Sequence, residues 1–138
     1  MMGEVRVKVK LTNAADQSLA RRGKIKSEEV RSYETDAMVD TGSVSTVLPA
    51  DIVRELGLDT PEQRGVQYAD ERVEVVPVTE AIIVEIQRRR TNDEAVVLGS
   101  EVLIGQTVLE KLDLHVDCAN QKVIPNPAHP NQAITKVK

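Results

Sequence analysis

Aromatic side chains are nearly missing from this chain: it has two tyrosines, Tyr33 and Tyr68, and neither Phe nor Trp in 138 residues. The core must therefore be built from Val, Ile, Leu, Ala and Met, and a Val-rich core favours strands. A surplus of basic charge is also missing, since the net charge is −4. Nucleic-acid binding needs a basic footprint, and single strands need stacking aromatics as well, so no nucleic-acid partner is expected. The one basic run, Arg88-Arg89-Arg90, is followed by Asn92-Asp93-Glu94 and reads as a solvated hairpin loop. Cysteine occurs once, at Cys118, which excludes an internal disulfide. It lies at the end of an expected strand, next to Ala119, and a buried, inert thiol is predicted. No apolar run reaches the length of a membrane span, and Met-Met-Gly-Glu-Val-Arg lacks the apolar segment of a signal peptide. The expectation is a cytoplasmic chain without membrane contact. His115 and His129 stand apart, neither with ligand-type neighbours at metal spacing, so neither a metal nor another cofactor is expected.

What is present is a succession of short apolar runs. Length and composition (41% hydrophobic, 29% charged) suit one globular domain with its own core. Val5, Val7, Val9 and Leu11 alternate with Arg6, Lys8 and Lys10, the period of a half-buried strand. Residues 12–28 are polar and hold either a short helix at Ala14–Arg21 or an extended hairpin loop. A strand over Val30–Val39 turns apolar at Ala37-Met38-Val39. Val44–Leu48 reads as another strand. Pro49 suits the start of a helix over Ala50–Leu56, and Gly57 suits its end.

Hairpins follow. Val66–Tyr68 and Arg72–Val78 flank a polar tip at Ala69-Asp70-Glu71; Ala81–Ile86 and Ala95–Leu98 flank Arg88–Asp93. Val102-Leu103-Ile104-Gly105 is a short apolar run, and Val108, Leu109 and Leu112 have helical spacing. Leu114–Asp117 and Lys122–Ile124 flank a last turn. From Pro125 onward the chain is Pro-rich and is expected to be extended and poorly ordered. Many short strands with one or two short helices predict an all-β fold, a small closed β-barrel. One domain over 1–125 with a tail over 126–138 is expected.

The run Met38-Val39-Asp40-Thr41-Gly42-Ser43 carries the chemistry. Asp-Thr-Gly alone is a weak signal, common enough to arise by chance in roughly a few per cent of chains this long. Its setting is more informative. A carboxylate at the end of an apolar strand is rigidly held. A glycine two residues on permits a tight turn with positive φ and close backbone approach. Strand-ending Asp and Gly also make ordinary turns, and the motif can be read that way.

The residues around this motif resemble the retropepsin-like (clan AA) aspartic proteases, in their bacterial single-domain type. The matching stretches are Ala37–Ser43, Val47-Leu48-Pro49 and Leu56-Gly57-Leu58, then Val102–Gly105, Val108–Leu112 and Leu114–Asp117. The resemblance covers roughly residues 30–125, and residues 7–30 are similar to a bacterial branch. It implies a retropepsin-type barrel in which Leu103-Ile104-Gly105 packs beside the aspartate and closes a ψ-shaped loop. It implies that Asp40 is catalytic. Thr41 would bond across a two-fold axis, the Gly42 N–H would point at the carboxylate, and the Ser43 hydroxyl would donate to the outer oxygen of Asp40 unless Ser43 is a plain loop serine. Tyr68, Ala69, Asp70 and Glu71 would form a flap over an extended peptide substrate, unless Tyr68 packs on the barrel. Three departures from viral relatives stand out, the first a polar hairpin tip without the glycines of viral flaps. Gln106 replaces an arginine, with no acid in Val44-Ser45-Thr46 to pair with one, and the Pro-rich tail is unlike viral terminal strands that interleave between subunits.

The family's chemistry needs two aspartates that share one proton and activate a water between them. One Asp-Thr-Gly per chain then requires a second copy. The leading expectation is a homodimeric aspartic endopeptidase acting on a peptide or protein substrate. A non-catalytic dimeric peptide-binding or regulatory module on the same fold is the alternative, and a chance motif in an unrelated barrel is the third reading.

Overall fold

The alternating run at the N-terminal end becomes β1 (Val5–Asn13), which pairs antiparallel with β2 (Ser32–Val39) from Val5↔Val39 to Thr12↔Ser32. The structure, a computed structural model, describes residues 4–137, so residues 1–3 and 138 of the expected domain and tail lie outside it. Helix α1 (Ala14–Arg21) follows β1, resolving residues 12–28 in favour of a helix. Next come β3 (Thr46–Leu48), helix α2 (Ala50–Glu55), and the hairpin of β4 (Glu62–Gln67) and β5 (Val73–Val78). Then come β6 (Ile82–Ile86), β7 (Arg89–Asp93), β8 (Ala95–Val97), β9 (Leu103–Ile104) and helix α3 (Gln106–Leu112). Strands β10 (Leu114–Asp117) and β11 (Lys122–Pro125) end the chain as a separate two-stranded sheet. The fold is mostly strand with a few short helices. Among the described residues, no helix is long and apolar enough to cross a membrane.

The main sheet runs β4-β5-β8-β3-β9-β2-β1-β6-β7. It is not the closed barrel expected, because β4 and β7 remain unpaired edges. β4 is exposed along nearly all its length, drawn out with β5 as a hairpin, while α3 lies along β7 and ties to it through Lys111 Nζ donating to Asn92 O at 3.0 Å. The middle strands are covered on both faces, which is why they read as continuous apolar runs rather than alternating ones. Leu48, Ala95 and Ile104 face the main core with Leu11, Val84 and Leu112. Their neighbours Val47, Val96 and Leu103 face the other way, into a smaller cluster with Val76 and Val78 beneath the β4–β5 hairpin.

Two expectations fail at turns. Residues 88–93 are not a loop. Only Gln87 and Arg88 turn, with φ of 51° and 69°, and Ile86 then pairs with Arg89. Two left-handed residues in a row suit the twist of a tight hairpin. β7 is polar because it is an edge strand, so it shows none of the apolar alternation that marks a strand. Arg89 is no solvated loop cation: its guanidinium donates to the carbonyls of Leu112, Asp113 and His129 at 2.7–3.0 Å. Cys118 is exposed, not buried. β10 stops at Asp117, whose carboxylate accepts from Asn120 N and Nδ2 and so turns the chain at the cysteine.

Two polar clamps hold the periphery. Asn13 caps α1 by accepting from Asp16 N at 3.1 Å, and its Nδ2 donates to Leu56 O at 2.8 Å. Asp16 in turn accepts from the Arg31 backbone and guanidinium at 2.8–3.0 Å, and the Arg31 guanidinium holds its carboxyl below the usual range despite burial. Arg31 lies against Gly57, where φ is 62° and a Cβ would overlap the guanidinium. Only glycine suits that position on both counts.

The second clamp is Asp113, the left-handed residue that ends α3. Its carboxylate accepts from Asn126 Nδ2 at 2.9 Å and Ile134 N at 3.1 Å, with His129 Nδ1 at 2.6 Å. Among the described residues the tail has no helix or strand, but it is tied to the body rather than loose.

Two outcomes follow from these clamps. Asn13→Ala removes a helix cap and leaves the Leu56 carbonyl short of a donor, so urea unfolding should show a loss of about 1–3 kcal/mol. An unchanged midpoint would remove Asn13 from the account. Hydrogen bonds from Asn126 first, then from Ile134 and His129, lower Asp113 from 3.8 to about 2. A depressed folded pKa stabilises the docked tail above the unfolded value and loses that effect as pH falls through the folded one. Protection factors of the amides at 126–134, relative to intrinsic exchange, should therefore fall between pH 3.8 and about 2. Protection that does not change over that interval would contradict the clamp.

Candidate functional site

Asp40 leaves the end of β2 and is held from three sides. Its N–H donates to Ile104 O at 2.9 Å, its carbonyl accepts from Ser43 N at 3.1 Å, and its Oδ1 accepts from Gly42 N at 3.0 Å. The last bond is the one expected of Gly42. The reason for glycine differs from expectation, however. Gly42 has no positive φ, and a Cβ there would stand 3.2 Å from Asp40 Oδ1, crowding the carboxylate. Thr41 is exposed beside it. The Ser43 hydroxyl donates to Ser45 O at 3.0 Å, in place of the expected bond to Asp40.

The loop 41–45 carries the chain from β2 to β3, and β9 fills the space between those two strands. β9 runs parallel to β2 (Met38↔Leu103, Val39↔Ile104) and antiparallel to β3 (Val47↔Leu103). This is the ψ-shaped crossing that Leu103-Ile104-Gly105 implies. Gly105 then passes directly under the loop. A Cβ at Gly105 would lie 2.6–2.8 Å from the carbonyl oxygens of Ser43, Val44 and Ser45. The next residues donate to that loop: Gln106 N to Ser43 O at 2.8 Å and Thr107 N to Val44 O at 3.4 Å. Gln106, at the position of the viral arginine, uses its side chain locally, donating to Glu110 Oε1 at 3.2 Å.

The β4–β5 hairpin stands over this floor. Tyr68 N donates to Arg72 O and Glu71 N to Tyr68 O, each at 2.9 Å, and Glu71 takes a φ of 70° to close the tip. Asp70 Oδ1 accepts from Arg72 N at 3.0 Å. The Arg72 guanidinium lies over the Tyr68 ring at 4.5 Å. Tyr68 is half-buried and turned to the cleft rather than packed into the core.

Hairpin and floor enclose a cleft of about 610 Å³. Of the residues singled out by sequence, Asp40, Gly42, Ser43, Tyr68, Ala69 and Leu103 line it. Thr41, Asp70, Glu71, Ile104 and Gly105 do not, and Ile104 is fully buried in the core. The cleft also takes in Val47, Val66, Val96 and Leu98, with Arg64 and Gln67 from β4. These were missed because a strand's outline does not say which face lines a cavity. The signal for Val47 and Val96 was their place in runs too continuous for one-sided burial. Arg64 pairs with Glu94 at 2.8 Å. No group of three or more ligand-type side chains that could hold a metal occurs among the described residues.

Gly105→Ala should push its new methyl into three carbonyls that cannot all retreat. A stability loss of about 1–3 kcal/mol is expected by thermal or urea unfolding, with shifted amide resonances at 40–45. An alanine variant with wild-type stability and spectrum would refute the packing argument.

A family model described as gag-polyprotein putative aspartyl protease matches residues 27–111. That span holds β2, the Asp40 loop, the hairpin, β9 and nearly all of α3. No curated protein matches the chain. With well over half of the chain matched, and with β9 crossing beside Asp-Thr-Gly, the chain belongs to this retropepsin-like aspartic protease family.

Proposed function

We propose that the chain is one half of a homodimeric aspartic endopeptidase, with Asp40 as its catalytic residue. The carrying observation is the position of the Asp40 carboxylate in the wall of a mostly apolar cleft beneath a projecting hairpin. A peptide laid between floor and hairpin would gain main-chain hydrogen bonds from the hairpin, while alternate side chains enter the apolar space. Val47, Val66, Val96, Leu98 and Leu103 give that space an aliphatic lining.

The chemistry follows from pairing. A second copy brings its own Asp40 to the first, and two neighbouring carboxyl groups cannot both ionise, so they share one proton. The ionised member takes a proton from the water between them. The protonated member donates to the scissile carbonyl oxygen as that water attacks the carbon. Collapse of the tetrahedral intermediate passes a proton to the leaving amine and restores the pair. The Gly42 N–H, already bonded to Asp40 Oδ1, fixes the carboxylate's orientation in each subunit. Thr41, exposed next to it, would bond across the axis.

Asp40→Asn preserves size and the Gly42 bond but removes the ionisable group. Cleavage of an unfolded protein substrate should fall by at least about a thousandfold, with folding and dimerisation unchanged. A folded, dimeric Asn variant that still cuts would refute the assignment. The wild-type kcat/KM should be bell-shaped in pH, because the pair works only with one proton between its two members.

A further inference from the structure

The loop that carries Asp40 is held mostly by backbone. Asp40 N donates to Ile104 O, and the carbonyls of Ser43 and Val44 accept from Gln106 N and Thr107 N. The Ser43 hydroxyl stays within the loop, on Ser45 O. One bond is of another kind. Thr46, where the loop enters β3, donates from Oγ1 to Asp93 Oδ2 at 2.7 Å. Among the described residues it is the one side-chain hydrogen bond that joins residues 40–46 to a distant segment. Gln106 bonds to Glu110 within its own helix, and Val44-Ser45-Thr46 holds no acid, so no arginine–carboxylate pair anchors this loop.

Topology explains how Asp93 reaches Thr46. β7 and β8 have five strands between them in the sheet, yet one residue, Glu94, joins them in the chain. The sheet therefore curls until the end of edge strand β7 comes up beside β8. β8 runs parallel to β3 with Ala95 opposite Thr46, which leaves Asp93 two residues from that pair. On its other side Asp93 is held in the ladder with β6, opposite Ile82. Its carboxylate thus stands on regular strand and bridges the seam of the open sheet.

The setting of this bond is dry. Thr46 is fully buried, and the Asp93 side chain is 12% exposed. A buried hydroxyl needs a partner, and a carboxylate is a stronger acceptor than a neutral oxygen. Lys111 Nζ, from the last turn of α3, lies 3.8 Å from Asp93 Oδ1 and offsets its charge. The helix that leaves Gly105 beneath the loop therefore returns at its other end to the acid that holds the loop's exit. The neighbouring Arg64–Glu94 pair stands in water, 43% and 49% exposed, and has no comparable hold.

We propose that Asp93 is a positioning residue of the active site: through the Thr46 hydroxyl it fixes the exit of the Asp40 loop, and with it the place of the Asp40 carboxylate in the cleft. Asp93 lines no part of the cleft and acts only through Thr46. The inference rests on the protease reading. A loop that shifts slightly leaves the apolar walls, and hence binding, in place, but moves the reacting group. A displacement of about 1 Å can cost on the order of a hundredfold in rate.

The test is kcat and KM on a casein-derived peptide, well below each variant's unfolding midpoint. Thr46→Val keeps the shape of the side chain and removes the donor. Its kcat should fall at least about tenfold with KM within about twofold. Thr46→Ser restores the hydroxyl and should recover most of the lost kcat. Asp93→Leu should lower kcat as Thr46→Val does, and the double variant no further than the lower single, because the two residues act as one bond. A residue that served stability alone would lower the midpoint and leave kcat untouched. That pattern in Thr46→Val, or fully additive losses in the double variant, overturns this inference and leaves the protease reading intact. If Thr46→Val does not fold, the double variant carries the test, because it buries no unpaired polar group in that bond's place. An unchanged kcat there overturns the inference. A wild type that cleaves nothing overturns the protease reading, and this inference with it.

Discussion

Everything at the site depends on one close passage of backbone past backbone. Gly105 runs under the carbonyls of Ser43, Val44 and Ser45 at a distance that leaves no room for a Cβ. That contact lets β9 slot between β2 and β3, so that Asp40 N can reach Ile104 O and Gln106 N can reach Ser43 O. The loop carrying Asp40 is thus pinned from below by a strand that arrives from far along the chain. A carboxylate on an ordinary hairpin turn would lack this support. Gly42 adds the second restriction, since a side chain there would crowd the very oxygen its N–H binds.

The same slot makes the sheet two-faced. β3, β8 and β9 each send one residue to the main core and the next to the cleft side, so a single pleat both stabilises the domain and lines the cleft. The hairpin of β4 and β5 can stand away from the body because Val76 and Val78 root it in the smaller cluster while β4 stays an open edge. An unclosed sheet is the consequence. Closing it would require β4 to turn back toward β7 and abandon the cleft.

Polar groups do the remaining work at the margins. Asp16 and Arg31 lock α1 and the start of β2 against the end of α2, and Asp113 and Arg89 gather the tail onto the end of α3. Both clamps join segments distant in sequence, and both use an acid and an arginine where aromatic packing is missing.

Much of this was legible in residue order. Alternation marked β1, the apolar run before Asp40 marked the end of β2, and Pro49 and Gly57 bracketed α2. Asp40 at a strand end and the short apolar run Leu103-Ile104-Gly105 were visible in the local pattern, but that the second packs beside the first came from the family resemblance. Arg89 was misread because a polar edge strand has no periodic signature, and Cys118 because the local pattern does not show how the chain turns once the strand stops at Asp117. The open sheet, the cleft faces of Val47 and Val96, and the bond of the Ser43 hydroxyl to Ser45 were decided by tertiary structure alone. Each depends on which distant strand lies alongside, and pairing partners leave no mark in the local pattern. The sequence determined which residue carries the acid; only the slotting of β9 beneath its loop decided how that acid is held.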